Sequence, residues 1–312
     1  MHEGSKRAIL AAFLANLGIA IAKFVGFLIT GASSMLAESI HSVADTTNQG
    51  LLFFGARRAA RPATPEHPFG YGRDRYFWSF VVALVLFSVG GIFAVYEGIE
   101  KVRNPHDIDS PAVAFVILGV AVVLEAFSLR TAVRESNHVR GELGWVAFVR
   151  RSKTPELPVV LLEDLGALFG LLFALAGLTL AVTTDEPRWD GVGTLTIGVL
   201  LVTIAVILVM EMKSLLIGES ASDEQQRHIL AAIEATPGVR RLVHMRTLHL
   251  GPDELLVAAK LELAPSLSTR EVAEAIDAAE GRIRSAVPIA RVIYLEPGLF
   301  GEESPPGAEA PG

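Results

Sequence analysis

Apolar residues fall into six long runs along this chain, at 8–30, 35–54, 76–96, 112–129, 157–182 and 192–210. A helix needs about 20 residues to cross the roughly 30 Å hydrocarbon core of a bilayer, so these runs predict transmembrane helices. Past Met212 the pattern becomes that of a soluble domain. Asp223 is placed to cap a helix reaching about Ala235, Pro237-Gly238 interrupts, and residues 241–250 and 254–263 alternate apolar and polar around Gly251-Pro252. Alternation with a period of two on either side of a Gly-Pro turn signals a β-hairpin. Residues 269–287, entered through Ser268, have the spacing of an amphipathic helix, and residues 291–295 make a last short strand. The expected architecture is an all-α six-helix membrane bundle over residues 1–217, a cytosolic α+β domain of order αββαβ over 218–298, and a disordered tail rich in Pro, Gly and Glu over 299–312.

One run is interrupted by polar residues. Positions 37–49 read Ala-Glu-Ser-Ile-His-Ser-Val-Ala-Asp-Thr-Thr-Asn-Gln. His41, Asp45 and Gln49 recur every fourth residue and so share one helix face, with Glu38 and Asn48 at its margin. Ionisable groups in lipid are costly unless paired or bound to metal. The stripe therefore marks a substrate or proton site, or else polar side chains that bond neighbouring helices together.

Other spans carry fewer such residues. Asn16 and Lys23 in the first are read as looking into the bundle or, for Lys23, as snorkelling toward an interface. Gly90-Gly91 in the third suits close helix packing, while Glu97, Glu100 and Lys101 are assigned to its outer end. Glu125 in the fourth is either an acid supporting the site, as a proton relay, or the partner of a cytosolic arginine. The fifth holds Glu163-Asp164, whose side chains leave a helix about 100° apart, so only one of them is well placed for a given ligand. Gly166, Gly170 and Gly177 give that helix a seam along which a neighbour can approach.

Composition narrows the class. Hydrophobic residues make up 51% and the mean hydropathy is +0.45, against 20% charged residues, which indicates a polytopic membrane protein. No cleavage site follows the first apolar run, so that helix is expected to be retained. Cysteine is absent, so any metal ligands must be His, Asp, Glu or amides. A net charge of −7 and a pI near 5.7 leave no basic stripe for nucleic acid. Lys and Arg number two before the first span, five between the second and third and six between the fourth and fifth, against none, two and one in the opposite loops. The positive-inside rule then puts both termini in the cytoplasm. Arg73, at the cytosolic entrance to the third span, and Glu211, near the cytosolic exit of the sixth, are expected to form a gating ion pair, with Glu219 as the alternative partner.

The string His67-Pro68-Phe69-Gly70-Tyr71-Gly72-Arg73 between the second and third spans, the His-Ser-Val-Ala-Asp motif at 41–45, Glu97-Gly98 with Pro105, Leu216, Gly218-Glu219 and the final Glu296-Pro297 together resemble the cation diffusion facilitators. The resemblance covers residues 5–297. It implies a ferredoxin-like form for the αββαβ domain and a zinc transporter that exchanges a divalent cation for protons as a homodimer, joined through both its transmembrane and cytosolic domains. It also implies a central site built from a His-x-x-x-Asp pair in each of spans two and five. His41 and Asp45 match the first pair and Asp164 the aspartate of the second. Val160 stands where the second histidine belongs, and Glu163 lies beside the aspartate, an arrangement similar to the branch that includes the mitochondrial-type zinc transporters. Glu163, Gln49, Asn48 or water is then expected to complete a tetrahedral set.

Zn2+ is expected as the transported substrate, with Mn2+, Fe2+, Co2+ or Cd2+ as alternatives; the extra oxygen donors harden the site and move its preference toward Mn2+ or Fe2+. No organic cofactor and no nucleic acid partner are expected, and the protein is assigned to the bilayer of the cell (inner) membrane. In the cytosolic domain Lys260 and Tyr294 occupy positions where the family often has metal-binding His, and His228, His244 and His249 are read as solvated or hydrogen-bonded. The rivals are a metal sensor or scaffold without transport and an intramembrane metalloenzyme. The second is disfavoured because His-Glu-x-x-His is missing, so no enzyme activity is expected.

Overall fold

The computed structural model describes the backbone of residues 3–108 and 110–298, with side chains from residue 17 onward except 33 and 109. The side chain of Asn16 and the expected tail, residues 299–312, lie outside what is described. The chain divides into two compact units. One comprises the chain up to Arg58 with Asp74–Lys213, the other Ala59–Arg73 with the chain from Ser214 on.

The first unit is helical. Helices α1 (Glu3–Thr30) and α2 (Ser33–Ala59) are followed by α3 (Asp74–Val85), a π-helical stretch Leu86–Ile92 and α4 (Phe93–Arg103), which run on as one continuous rod. Next come α5 (Pro111–Arg140), the short α6 (Trp145–Arg151), α7 (Glu156–Thr184) and α8 (Arg188–Ile217). Among the described residues four of these rods, Asp74–Arg103, Pro111–Arg140, Glu156–Thr184 and Arg188–Ile217, are long and apolar enough to cross a membrane. In α1 the apolar part is Leu17–Thr30. The polar stripe lowers the hydropathy of α2, which is otherwise of spanning length.

Two features escape hydropathy. The fourth apolar run ends near residue 129, yet α5 continues to Arg140, and α6 forms within what reads as a loop. Packing explains both: Ala132 on the extension, Phe148 on α6 and Leu161 on α7 make a small buried cluster. Arg140 also lies over the Trp145 ring at 4.5 Å. The π-helical stretch contains Gly90-Gly91, and stretches of this kind often sit at functional sites. Farther along, α4 and α8 meet backbone to backbone. A Cβ on Gly98 would lie 2.5 Å from Leu195 N, and one on Gly198 would lie 2.5 Å from Val95 N. Lys101, expected on the outer surface, is instead buried and donates to the His106 carbonyl at 2.7 Å, because burial of its stem is compensated by that bond.

The second unit has the order α9 (Asp223–Glu234), β1 (Val239–Gly251), β2 (Glu254–Leu263), α10 (Thr269–Ala286) and β3 (Ala290–Gly298). The sheet order is β1-β2-β3, with β1 and β2 antiparallel and β2 and β3 parallel across α10. Ile229 and Ile233 of α9 and Ala279 and Ile283 of α10 cover the Val257 and Leu261 face of the sheet. Ser222, not Asp223, caps α9, because its hydroxyl accepts from Gln225 N while the Gln225 side chain accepts from Ser222 N. Ser268 and Glu271 repeat this box at α10. The segment Ala59–Arg73 belongs to this unit: His67 and Tyr71 stack at 4.6 Å, and a Cβ at Gly72 would lie 2.7 Å from Leu250 O. Only glycine allows that approach.

Candidate metal centre

Helix α2 is built inside out. Glu38, Ser39, His41, Ser42, Thr46 and Asn48 are buried, while Val43 and Thr47 are exposed on the opposite side. The hydroxyls of Thr46 and Thr47 bond to the Ser42 and Val43 carbonyls, at 2.8 and 2.9 Å, so they make no demand on neighbouring helices.

His41 is fully buried, and its Nε2 lies 3.5 Å from Asp45 Oδ2. At that distance the two side chains face each other without a hydrogen bond. Both ring nitrogens of His41, Asp45 Oδ1 and Asn48 Oδ1 therefore have no hydrogen-bond partner among the described residues. Unsatisfied buried polar atoms are rare in native proteins. Four of them within two turns of one helix form a donor set suited to a cation. A Cβ at Gly90 in the π-helical stretch would lie 3.8 Å from His41 Nδ1, so that stretch borders the imidazole.

The two acids of α7 part company. Asn48 Nδ2 donates to Glu163 Oε1 at 2.6 Å, so Glu163 is the acid that faces α2. Asp164 instead accepts from Ser128 of α5 at 2.9 Å. Val160, one turn before Asp164, packs against the cluster of Ala132, Phe148 and Leu161. The resemblance makes Asp164 the matched partner of His41 and Asp45, with Glu163 among the candidates for the remaining position; in this conformation the acid of α7 bonded to α2 is Glu163. Asp45 lies within electrostatic range of Glu163, Glu125, Lys23 and Asp164. Among the described residues no three His, Asp or Glu side chains stand close enough to ligate one ion.

The remaining candidates are placed as follows. Glu125 and Gln49 are half-buried on α5 and α2. Lys23 does not snorkel: it is fully buried, 3.1 Å from Glu38 Oε2 and 2.8 Å from Ser42 Oγ. Buried Asp190, whose Oδ1 accepts from Ser34 Oγ at 2.5 Å, was not singled out by sequence reasoning, since it sits at a helix start where an acid is unremarked. Arg73 and Glu211 fall in different units. Glu211 lines an apolar groove of about 650 Å³ with Arg150, Leu129, Val133, Leu165 and Met210. In the second unit His228 is exposed, His249 is buried with Nδ1 3.3 Å from the Gly251 carbonyl oxygen, and Lys260 pairs with Glu296 at 3.3 Å.

Comparison with known proteins bears on both units. Residues 9–217 match the family model described as the cation efflux transmembrane domain, and residues 221–297 match the cytoplasmic domain of cation efflux proteins. The proton-coupled zinc antiporter SLC30A9, mitochondrial, of Xenopus laevis is 31% identical over 82% of this chain and 46% of its own length. Its Homo sapiens counterpart is 30% identical over 88% of this chain and 49% of its own length. Metal tolerance protein C4 of Arabidopsis thaliana is 26% identical over 83% of this chain and 57% of its own length. The chain spans about half the length of the SLC30A9 proteins it matches.

Proposed function

Since this chain belongs to the cation efflux family, a family of integral membrane metal-cation transporters and not of enzymes, we propose that it exports Zn2+ in exchange for protons. The observation that carries this is the unpartnered donor set of His41, Asp45 and Asn48 facing Glu163. One imidazole and two or three oxygens can hold Zn2+, and the same atoms can hold protons instead. Occupancy by one excludes the other, which is what antiport requires. The SLC30A9 relatives are proton-coupled zinc antiporters by name, which supports the choice of substrate and counter-ion.

In this proposal α1, α2, the Asp74–Arg103 rod, α5, α7 and α8 are the six spans, both termini are cytoplasmic, and the protein works in the cell membrane as a homodimer by alternating access. Asp164 joins the site when α7 rotates away from Ser128, and Glu125, Gln49 and Asn48 pass protons or orient ligands. A second reading, Mn2+ or Fe2+ as the preferred cargo, is favoured by one observation: oxygen donors outnumber the single imidazole.

The test is metal uptake by proteoliposomes holding the full chain under an imposed pH gradient. Zn2+ flux that follows the gradient, and its loss in a folded Asp45→Ala protein, are expected. Normal flux through Asp45→Ala would remove this aspartate from the site, and binding without flux would point to a sensor.

A further inference from the structure

The Lys23–Glu38 pair has no role in the mechanism so far. Both side chains are fully buried, inside the helical unit and next to the candidate centre. Glu38 and Ser42, the two partners of Lys23, flank His41 on the inward face of α2. A buried ion pair is a poor source of stability, since desolvation of two charges offsets most of their attraction. Ionisable residues at membrane depth are functional by default. Glu38 is also only half used: Oε2 meets Lys23, while Oε1 has no hydrogen-bond partner among the described residues. That oxygen lies against Gly170, where a Cβ would stand 2.5 Å from it.

We propose that Lys23 is a tethered counter-cation that holds Glu38 out of the substrate site, fixing the anionic charge beside His41 at a level that suits one zinc ion and disfavours harder cations. The inference rests on the reading of His41, Asp45 and Glu163 as that site. Without the ammonium, Glu38 offers a carboxylate one turn from His41 to any divalent ion, and oxygen donors favour Mn2+ over Zn2+. Without the carboxylate, the bare ammonium repels every divalent ion. The two single changes therefore act in opposite directions, whereas a pair that only braces α1 against α2 is harmed alike by either.

The experiment measures Kd for Zn2+ and for Mn2+ by calorimetry on the purified full chain, with thermal melting in parallel. A unit charge within about 10 Å of a divalent ion, at an effective dielectric near 20, shifts its affinity by tenfold or more. Lys23→Met should tighten Mn2+ by at least about tenfold and narrow the preference for Zn2+. Glu38→Gln should weaken both metals by at least about tenfold. Lys23→Arg and the double variant Lys23→Met with Glu38→Gln should each return both constants to within about threefold of the starting protein. If Lys23→Met alone does not fold, the comparison of Glu38→Gln with the double variant decides, since adding Lys23→Met must then tighten binding. Weakening by both single changes, or no change in either, overturns the proposal. Unaltered Zn2+ binding in Asp45→Ala would instead overturn the site assignment beneath it.

Discussion

Glu163→Gln separates a metal ligand from a helix tie, because the substitution removes charge while keeping shape. Glu163 is buried and accepts from Asn48 at 2.6 Å. Glutamine still presents an acceptor oxygen, so the bond survives as a neutral one. Hydrogen bonds to a charged group contribute about 1.5–3 kcal/mol and neutral ones about 0.5–1.5. The loss of about 1 kcal/mol is offset by no longer burying a carboxylate. Folded stability should therefore change by less than about 1 kcal/mol.

Metal affinity behaves differently. Loss of a group that only supports a ligand lowers affinity about 10–100-fold, so loss of a direct anionic ligand should exceed about 100-fold. Titration of the purified full chain with Zn2+, alongside thermal melting, reads both quantities. Asn48→Ala is the complement: it strands a buried carboxylate, and should lower stability by about 1–3 kcal/mol. Unchanged Zn2+ affinity in a stably folded Glu163→Gln protein would refute the assignment of Glu163 to the site, and leave Asp164 as the acid of α7.

His41→Ala should weaken Zn2+ more than Mn2+, since imidazole is the softest donor present; equal losses in competition titrations would contradict it. Gly98→Val should lower the melting point severely, because its Cβ meets the backbone nitrogen of Leu195 and overpacking of this kind costs about 1–3 kcal/mol or more; a melt like that of the unsubstituted protein would show that α4 and α8 can separate. Hydrogen bonds from Ser268 hold the Glu271 carboxyl below its usual range. A depressed folded value stabilises at pH above the unfolded one and is lost on acidification, so amide protection in the first turn of α10 should fall between about pH 5 and pH 3, after correction for intrinsic exchange. Glu271→Gln should abolish that dependence, and its persistence would assign the effect to another group.

How legible all this was depended on periodicity. The hairpin 241–250 and 254–263 and the helix from Thr269 were visible because each buries one face against the other, and the structure moves their ends by no more than two residues, to 239–251, 254–263 and 269–286. His41 and Asp45 stood out because an ionisable pair in an apolar run has few explanations. The partner of a buried charge was not legible. Lys23 is fifteen residues from Glu38, and Asn48 is 115 from Glu163, and no local pattern encodes such pairings. Nor could the sequence say which acid of α7 turns toward α2, since adjacent residues differ only by a rotation that packing against α5 decides. Helix α6 and the end of α5 were missed for a related reason: their stability comes from the contact of Ala132, Phe148 and Leu161, made across long sequence separations.

The helical unit is held together in two physically different ways, and the difference bears on how a cation could be handed across. Between α4 and α8 the chains touch at Gly98 and Gly198, so parting them would open voids along a seam packed at backbone distance. By contrast α2 is joined to α1, α7 and α8 by side-chain bonds, Lys23 to Glu38, Asn48 to Glu163 and Ser34 to Asp190. A hydrogen bond that exchanges its protein partner for water changes the free energy by about 0.5–1.5 kcal/mol, or about 1.5–3 kcal/mol where one partner is charged. Displacement of α2 against α7 therefore proceeds by exchange of single bonds, whereas displacement of α4 against α8 has to open a packed seam. A cation that takes Glu163 Oε1 takes it from Asn48, and binding at that oxygen would then release α2 from α7. On that basis Asn48→Asp, which replaces the donor with a second carboxylate, should loosen α2 from α7 without cation and restore the contact when Zn2+ is added. Cross-linking between cysteines introduced on the two helices would measure this, and a cross-linking rate indifferent to Zn2+ would show that the Asn48–Glu163 bond is not the coupling element.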